Sequence, residues 1–595
     1  MTEEPPAPAS RWQKLLSHYG FTLGEAIEFL AFSIFFLAYG LTPIFGGDGL
    51  GLVGADEPRY AEIAREMLAR FDSAHTLLGR LSACVTPYLY GHPWLEKPAL
   101  YYWRAMFLFQ DFGVHDWSAR LPSATFAFIM VALIYLHMRR FRPGGHIDAT
   151  LITVTCAAII GFSRGASTDM QMAAPLSIGL LGWYAWYETG SKFWLYDIYF
   201  FTGLATLAKG PVAPFLAFVI VAAFAFLRRE WSIIPKSLWW PGVALYFAMV
   251  LPWFIAVQHQ NPTFFREFFL QQNLQRFASN RYRHMQPFWY YLVVVLISML
   301  PWTVVAVRAL IDGVRTSVAE WRLRHSRAEE PQPSAVGDAF PEFLVLWALI
   351  PIIFFSFSQS KLPGYILPSI PPMAILTGDY IFRRRHLGLS RLTLGGHAAT
   401  VGGMTAVILL MPWFVAHGAQ MPPGRALAAA ILAGVGAALL IVIVVSFFGL
   451  MHLRLVTSCV LAVLLLFIFG IGPFFGIPGV GQTKHVIALL DDTYSARPIA
   501  AKLATVAPAD ETVAVFRVRR ETDYGLSFYR GRQVINYEES GVPAGQHLLV
   551  ARVTGSRGVD LHTQAALQEY LAGRHYEQIF SWPEQGLVVY LVGAL

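Results

Sequence analysis

Residues 163–187 read SRGASTDMQMAAPLSIGLLGWYAWY, and after Asp169 this stretch carries no formal charge as far as Tyr187. An ionisable group at the mouth of an uncharged helical run is the pattern of a membrane span that keeps its charge at one end. Similar runs recur outward in both directions, from Ile27 to Phe475. Measured against the roughly 20 residues that cross about 30 Å of hydrocarbon, they predict about thirteen helices. These lie near 27–45, 118–137, 149–163, 171–187, 194–208, 212–227, 237–258, 288–310, 341–357, 364–382, 398–416, 426–449 and 455–475.

Composition agrees. Of 595 residues, 55% are hydrophobic and only 14% charged, and the mean hydropathy is +0.47, far from the balance of a soluble domain. The net charge of +7 is informative by location. Alternating the spans collects Arg139, Arg140, Arg142, Lys192, Arg228, Arg229, Lys236, Arg315, Arg322, Arg324, Arg327, Arg383, Arg384, Arg385, Arg391 and Arg454 in one set of loops. The positive-inside rule makes that set cytoplasmic. No basic helix or aromatic-basic stripe lies in a soluble segment, so no nucleic-acid partner is expected. Cys156 and Cys459 fall in apolar runs and Cys84 stands alone, which provides neither a disulfide framework nor zinc spacing. Met1 to Ser10 is acidic and Pro-rich, unlike a signal peptide, and the first span is expected to stay attached. With an odd number of spans, everything after Phe475 lies outside. There, strand-like runs at Thr512 to Val518 and Leu548 to Val553 and a helical pattern from Leu561 to Leu571 predict a small α/β domain.

The residues able to do chemistry gather on the outer side. The first outer loop, Gly46 to Trp117, is too long for a simple connection. It holds Gly54-Ala55-Asp56-Glu57-Pro58-Arg59-Tyr60-Ala61-Glu62-Ile63-Ala64-Arg65, the start of an amphipathic helix with Ile63, Met67 and Leu68 on one face. Structurally, Asp56 reads as an N-cap and Glu62 with Arg65 as a surface ion pair. Functionally, paired acids just beyond the membrane face a polar cavity. The same loop holds Tyr90-Gly91-His92-Pro93-Trp94-Leu95-Glu96-Lys97-Pro98-Ala99-Leu100-Tyr101-Tyr102-Trp103. An aromatic belt with a snorkelling lysine explains the rings but not an acid beside a base at interfacial depth.

Asp169 and Lys209, the latter in Ala208-Lys209-Gly210-Pro211, occupy further outer turns, where each also suits a helix macrodipole. The loop from Asn261 to Pro287 carries Arg266, Arg276, Arg281, Arg283 and His284 against Glu267 alone. Arginine placed against the charge rule calls for an anionic partner: phosphate, or lipid head groups. Ser358-Gln359-Ser360-Lys361-Leu362-Pro363-Gly364-Tyr365 adds a cation, hydroxyls and a phenol at another outer turn.

Taken in order, Asp56-Glu57-Pro58-Arg59-Tyr60, Glu96-Lys97-Pro98-x-Leu100-Tyr101-Tyr102-Trp103, Ser167 to Met170, Ala208-Lys209-Gly210-Pro211, Gln286-Pro287-Phe288-Trp289-Tyr290-Tyr291 and Ser360-Lys361-Leu362-Pro363-Gly364-Tyr365 resemble the GT-C membrane glycosyltransferases, in particular the aminoarabinose transferase branch that modifies lipid A. The resemblance implies a mainly α, polytopic fold of thirteen helices. Residues 1–475 would be its catalytic part, with 46–117 as extracytoplasmic loop helices, and 476–595 a periplasmic α/β domain. It implies transfer of a sugar, 4-amino-4-deoxy-L-arabinose in that branch, from a polyprenyl phosphate carrier to lipid A, with inversion, at the periplasmic face of the bacterial inner membrane.

By position, Asp56 and Asp169 would be the family's two acids and Glu96-Lys97 its cavity pair. Lys97, Arg281 or Arg283, Tyr365 and Lys361 would meet the carrier phosphate, and Glu57, Arg59, Tyr60, Lys209, Arg276 and His284 would bind substrate. Asp56 and Asp169 could equally hold the sugar amine or a divalent cation, and no further cofactor is implied. Two departures stand out: Phe71 to Val85 is longer than the connection expected between the first two motifs, and Ala99 replaces a proline. The rival classes are a transferase of the same fold with another sugar or a hydroxyl acceptor, and a lipid or sugar transporter, which would show mid-span charge and paired broken helices.

Overall fold

The computed structural model describes residues 30, 33, 49–275, 286–326, 338–384, 387–417, 490–508, 510–555, 558–559 and 561–594. The spans expected at 426–449 and 455–475, and that at 27–45 apart from residues 30 and 33, lie outside the described residues. The first outer loop folds as α1 (Asp56–Ser73), α2 (Leu77–Ala83), a hairpin of β1 (Tyr88–Leu89) and β2 (His92–Pro93), and α3 (Leu100–Phe112). Apolar helices follow: α4 (Asp116–Phe141), α5 (His146–Thr155), α6 (Ala157–Ser163), α7 (Thr168–Thr189), α8 (Leu195–Lys209), α9 (Val212–Arg228) and α10 (Trp240–Gln260). Then come α11 (Tyr290–Ser298), α12 (Thr303–Ser326), α13 (Phe340–Ser356), a 3₁₀ turn (Pro363–Ser369), α14 (Ile370–Arg383) and α15 (Arg391–His417).

Residues 168–187 lie at the centre of the bundle. α7 is buried at every position from Met170 to Trp186, as expected of a helix that is apolar all round. Close packing depends on its glycines, since a Cβ on Gly182 would lie 2.4 Å from the Asp197 Cβ of α8. Small residues let backbones approach in just this way. Among the described residues α4 and α10 are each long and apolar enough to cross a membrane.

The runs expected as single spans at 149–163 and 288–310 are instead broken. α5 and α6 meet at 60°, and α11 and α12 at 116°. The two breaks satisfy each other, because the Ala157 amide donates to the Leu300 carbonyl at 2.8 Å and Trp302 Nε1 donates to Thr155 Oγ1 at 2.8 Å. Irregular backbone at membrane depth is tolerated where protein supplies the missing partners. Paired breaks are a feature named above for a transporter, yet Thr155, Cys156, Leu300, Pro301 and Trp302 carry no formal charge.

Two structural expectations for α1 are corrected. Ala55 is its N-cap and Asp56 its first residue, so Asp56 makes no capping bond. Glu62 and Arg65 do pair, at 2.6 Å, but Glu62 is fully buried and Arg65 also reaches the Gly531 carbonyl at 2.8 Å. The pair lies under the C-terminal segment rather than at the surface.

That segment contains α16 (Arg497–Val506), β3 (Val513–Phe516), α17 (Arg520–Arg530), β4 (Ile535–Asn536), β5 (His547–Arg552), α18 (Leu561–Tyr570), β6 (Tyr576–Trp582) and β7 (Leu587–Val592). The strands form one sheet in the order β4-β3-β5-β7-β6, parallel at β4-β3-β5 and antiparallel beyond. Alternation divides β3 and β5 between two cores. Val513, Val515, Leu548 and Val550 meet α16 and α17, and Ala514, Phe516, Leu549 and Ala551 meet α18.

The sheet segment is tied to the first loop by polar contacts. Gly51 N–H donates to Asp491 at 2.8 Å, Leu52 N–H to Tyr529 Oη at 2.7 Å, and Tyr90 Oη to Asp523 at 2.9 Å. Tyr90 and Gly91 form the hairpin turn with φ of 57° and 73°, as a two-residue loop requires. Burial, only partly offset by the Tyr90 hydrogen bond, pushes the Asp523 carboxyl up to about 6. An acid whose folded pKa is raised costs stability as it ionises, so the penalty is absent below the unfolded value of about 3.9 and complete above about 6. Unfolding monitored between pH 4 and 6 should show the contact weakening as pH rises, and Asp523→Asn should flatten that slope.

Candidate active site

The site is built on a buried ion pair. Glu57, the second residue of α1, accepts from Arg120 of α4 at 2.8 and 3.2 Å, from Val53 N–H at 2.9 Å and from Ala166 N–H at 2.8 Å. Arg120 spends its other donors on the carbonyls of Leu50 at 2.6 Å and Gly51 at 2.8 Å. Glu57, expected to bind substrate, therefore has its carboxylate taken up within the protein, where it joins the start of α1 to the turn before α7. Replacing Arg120 with Met leaves a buried acid unpaired and should cost about 3–5 kcal/mol in equilibrium unfolding.

With that joint in place, Asp56 is turned to solvent, 55% exposed, and pairs with Arg59. The Arg59 guanidinium lies 5.0 Å from the ring centroids of both Tyr60 and Trp94. Tyr60 is 4% exposed and packs on Tyr101 and Tyr102. Burial pushes its phenol up. The carboxylates of Asp56, Asp169 and Glu96 push in the same direction, and Arg59 opposes them. Three of the sequence-predicted acids, from two loop motifs and the mouth of α7, thus act on one buried phenol.

Glu96 is half-buried, and its carboxylate makes no hydrogen bond to a described residue. Lys97 directs its ammonium to the Glu96 carbonyl oxygen at 3.3 Å. Sequence reasoning passed over Tyr102 as part of an aromatic belt. Its hydroxyl is buried without a hydrogen-bond partner among the described residues, within the fields of Arg59 and Glu96. The tyrosine pair in the motif was the available signal.

The second half of the site joins two helix ends. Ser167 caps α7 by accepting from the Asp169 amide at 3.3 Å, which leaves the Asp169 side chain free to pair with Lys209, the last residue of α8. Each charge also suits its own helix dipole, so the structural and functional readings coincide here. The Lys209 ammonium sits 5.0 Å from the centre of the Tyr365 ring. Gly364 is what lets the 362–365 turn close on Asp169, since a Cβ there would lie 2.5 Å from the carboxylate carbon. The turn is held by Tyr291 Oη donating to the Leu362 carbonyl at 3.2 Å, and by Lys361, buried, whose ammonium donates to the Ser358 carbonyl at 2.7 Å. Lys361 therefore fastens the turn.

Arg276, Arg281, Arg283 and His284 lie outside the described residues. Among the described residues no group of three His, Cys, Asp or Glu is placed to hold a metal ion.

Gly364→Ala should cost about 1–3 kcal/mol of stability by overpacking against Asp169. Adding Asp169→Ala should recover part of that loss, a coupling that a double-mutant cycle on thermal unfolding would measure.

A family model described as dolichyl-phosphate-mannose-protein mannosyltransferase matches residues 96–255. A curated relative from Edwardsiella ictaluri, named undecaprenyl phosphate-alpha-4-amino-4-deoxy-L-arabinose arabinosyl transferase, is 30% identical over 399 residues, 64% of this chain and 65% of the relative. A relative of the same name from Pseudomonas aeruginosa is 30% identical over 379 residues, 62% of this chain and 63% of its own. The chain thus spans just under two thirds of the length of these curated relatives. The crystal structure of ArnT from Cupriavidus metallidurans bound to undecaprenyl phosphate superposes with a TM-score of 0.68 at 22% identity, covering 96% of this chain and 98% of that one. The fold is shared, and it is that of a membrane-embedded protein. Family model, relatives and fold all bear out the resemblance carried by the motifs.

Proposed function

We propose that this chain transfers 4-amino-4-deoxy-L-arabinose from an undecaprenyl phosphate carrier to a phosphate of lipid A, at the periplasmic face of the bacterial inner membrane. The observation that carries the reading is that Asp56, paired with Arg59, and Asp169, paired with Lys209, share with Glu96 the surroundings of the buried Tyr60 phenol. The names of the curated relatives supply the sugar and the carrier. In this reading residues 1–475 form a catalytic part of about thirteen spans, with 46–117 as its outer loop helices, and 476–595 form a periplasmic α/β domain.

Transfer breaks the bond between the sugar anomeric carbon and the carrier phosphate oxygen, and forms a new one to the acceptor oxygen on the opposite face. The carrier departs as a phosphate anion, so cations directed at it stabilise charge as it develops. Lys97, with Arg281 or Arg283 and the Tyr365 hydroxyl, is assigned that role, and Arg276 and His284 add to the basic loop. A lipid A phosphate monoester, with a second pKa of about 6, is already nucleophilic at neutral pH. Asp56 and Asp169 are then free to orient the sugar and its ammonium group, and Asp56 need not act as a base. Arg59, Tyr60 and Lys209 hold those acids in place.

A second reading draws on the matched family model, whose description names a protein acceptor. With a hydroxyl acceptor Asp56 becomes a general base, needed within about 3.2 Å of the proton it removes. The two readings separate on one pair of variants. With lipid A as acceptor, Lys97→Ala should lose about 10²–10³ in kcat, while Asp56→Asn loses much less than a base would. Mass spectrometry of lipid A from cells with and without the chain should show the added aminopentose only in its presence. An unchanged lipid A profile with the protein expressed would exclude lipid A as acceptor.

A further inference from the structure

The longer insert between the first two loop motifs builds a cleft of its own. Arg70, Ser73 and Ala74 at the end of α1, Gly79, Ser82 and Ala83 of α2, Tyr88 and Gln260 line an open space of about 570 Å³. The insert is firmly attached: Trp253 Nε1 donates to the Val85 carbonyl at 2.9 Å, Trp103 Nε1 to the Cys84 carbonyl at 2.7 Å, and Gln260 Nε2 to Ser82 Oγ at 3.0 Å.

Arg70 is the unusual member. Its guanidinium carbon lies 3.4 Å from the centroid of the Tyr88 ring, and its Nη1 is shielded from solvent with no hydrogen-bond partner among the described residues. No carboxylate among the described residues pairs with it; Asp72, two residues on, is exposed and does not line the cleft. A buried donor of this kind is costly unless a ligand completes it. Arg80, whose Nε donates to the Ala74 carbonyl at 3.3 Å, adds a second positive charge beside the cleft.

The position says which anion. Gln260 ends α10, whose flank shows Phe247, Leu251 and Ile255 exposed at four-residue intervals, a stripe that faces lipid in a membrane-embedded chain. α8 ends at Lys209, α9 returns, and α10 comes back, so Gln260 lies at the same membrane face as the Asp169–Lys209 pair. Beside it, α2 presents Leu77, Leu78 and Leu81 at 75, 77 and 58% exposure. Apolar side chains of a short surface helix, next to an arginine with no carboxylate partner among the described residues, match a lipid whose chains meet the leucines while its phosphate meets the guanidinium.

We infer that the Phe71–Val85 insert forms an anionic-lipid site, with Arg70 on the lipid phosphate and Leu77, Leu78 and Leu81 in the hydrocarbon. Arg70 stands in the last turn of α1 and Asp56 in the first, so the site is at the far end of that helix, and its test does not depend on the transfer reading.

The test is native mass spectrometry of the full-length protein in detergent, titrated with dioleoyl phosphatidic acid and with dioleoylglycerol, which has the same chains and no phosphate. The wild type should retain the phosphatidic acid in preference. Arg70→Gln should weaken that retention about tenfold, as loss of a charge-assisted contact would. Arg70→Lys should keep part of it, and Leu77→Ser/Leu78→Ser/Leu81→Ser should abolish the preference. Should Arg70→Gln not fold, the lysine and leucine variants decide alone. Equal retention by wild type and variants would overturn the inference. So would displacement by inorganic phosphate, which would mark a free-anion site, or a leucine variant that alters only self-association, which would mark an interface between copies.

Discussion

The site depends on one buried contact, Glu57 of α1 with Arg120 of α4. A carboxylate removed from water is tolerable only when fully paired, and here every acceptor direction has a use: two guanidinium nitrogens and the amides of Val53 and Ala166. Because those partners come from three separate stretches of chain, the contact fixes α1 to the turn that starts α7. The neighbouring Asp56 and, beyond Ala166, Asp169 are thereby placed by Glu57 without being touched by it. Arg120 carries the constraint onward to the carbonyls of Leu50 and Gly51, and the Gly51 amide is itself held by Asp491 of the C-terminal segment.

Around this joint, charges are arranged so that few are wasted. Lys209 neutralises Asp169 at the adjoining ends of α8 and α7, Arg59 neutralises Asp56, and the rings of Tyr60, Trp94 and Tyr365 cover the cations. The groups left without a partner among the described residues, the Glu96 carboxylate and the Tyr102 hydroxyl, lie within the same field. Such groups are where a polar substrate would recover the hydrogen bonds that the protein withholds.

Much of this was legible in the sequence. Uncharged length disclosed the apolar helices among the described residues, though not their breaks, and alternation disclosed β3 and β5, because burial on a helix or strand leaves a periodic trace. Asp169 and Lys209 were both picked out, but that they pair was not legible, since the contact joins helix ends 40 positions apart. The internal contacts of Glu57 were hidden for a similar reason. Its partner Arg120 lies inside an apolar run and gives no local sign of being an ion-pair partner. The breaks at Cys156 and Leu300 were hidden because each finds hydrogen-bond partners in the other, far away in the sequence. Tyr102 was read as one ring among many, since an orphaned hydroxyl is a property of packing rather than of residue type.

The most direct test of the central claim is transfer by the purified full-length chain in liposomes, supplied with undecaprenyl phosphate-linked 4-amino-4-deoxy-L-arabinose and lipid A, with both products followed by mass spectrometry. The account predicts that sugar appears on lipid A phosphate in step with release of undecaprenyl phosphate. An active preparation that glycosylates a peptide hydroxyl, or that moves the intact carrier-linked sugar across the bilayer while lipid A stays unmodified, would contradict it.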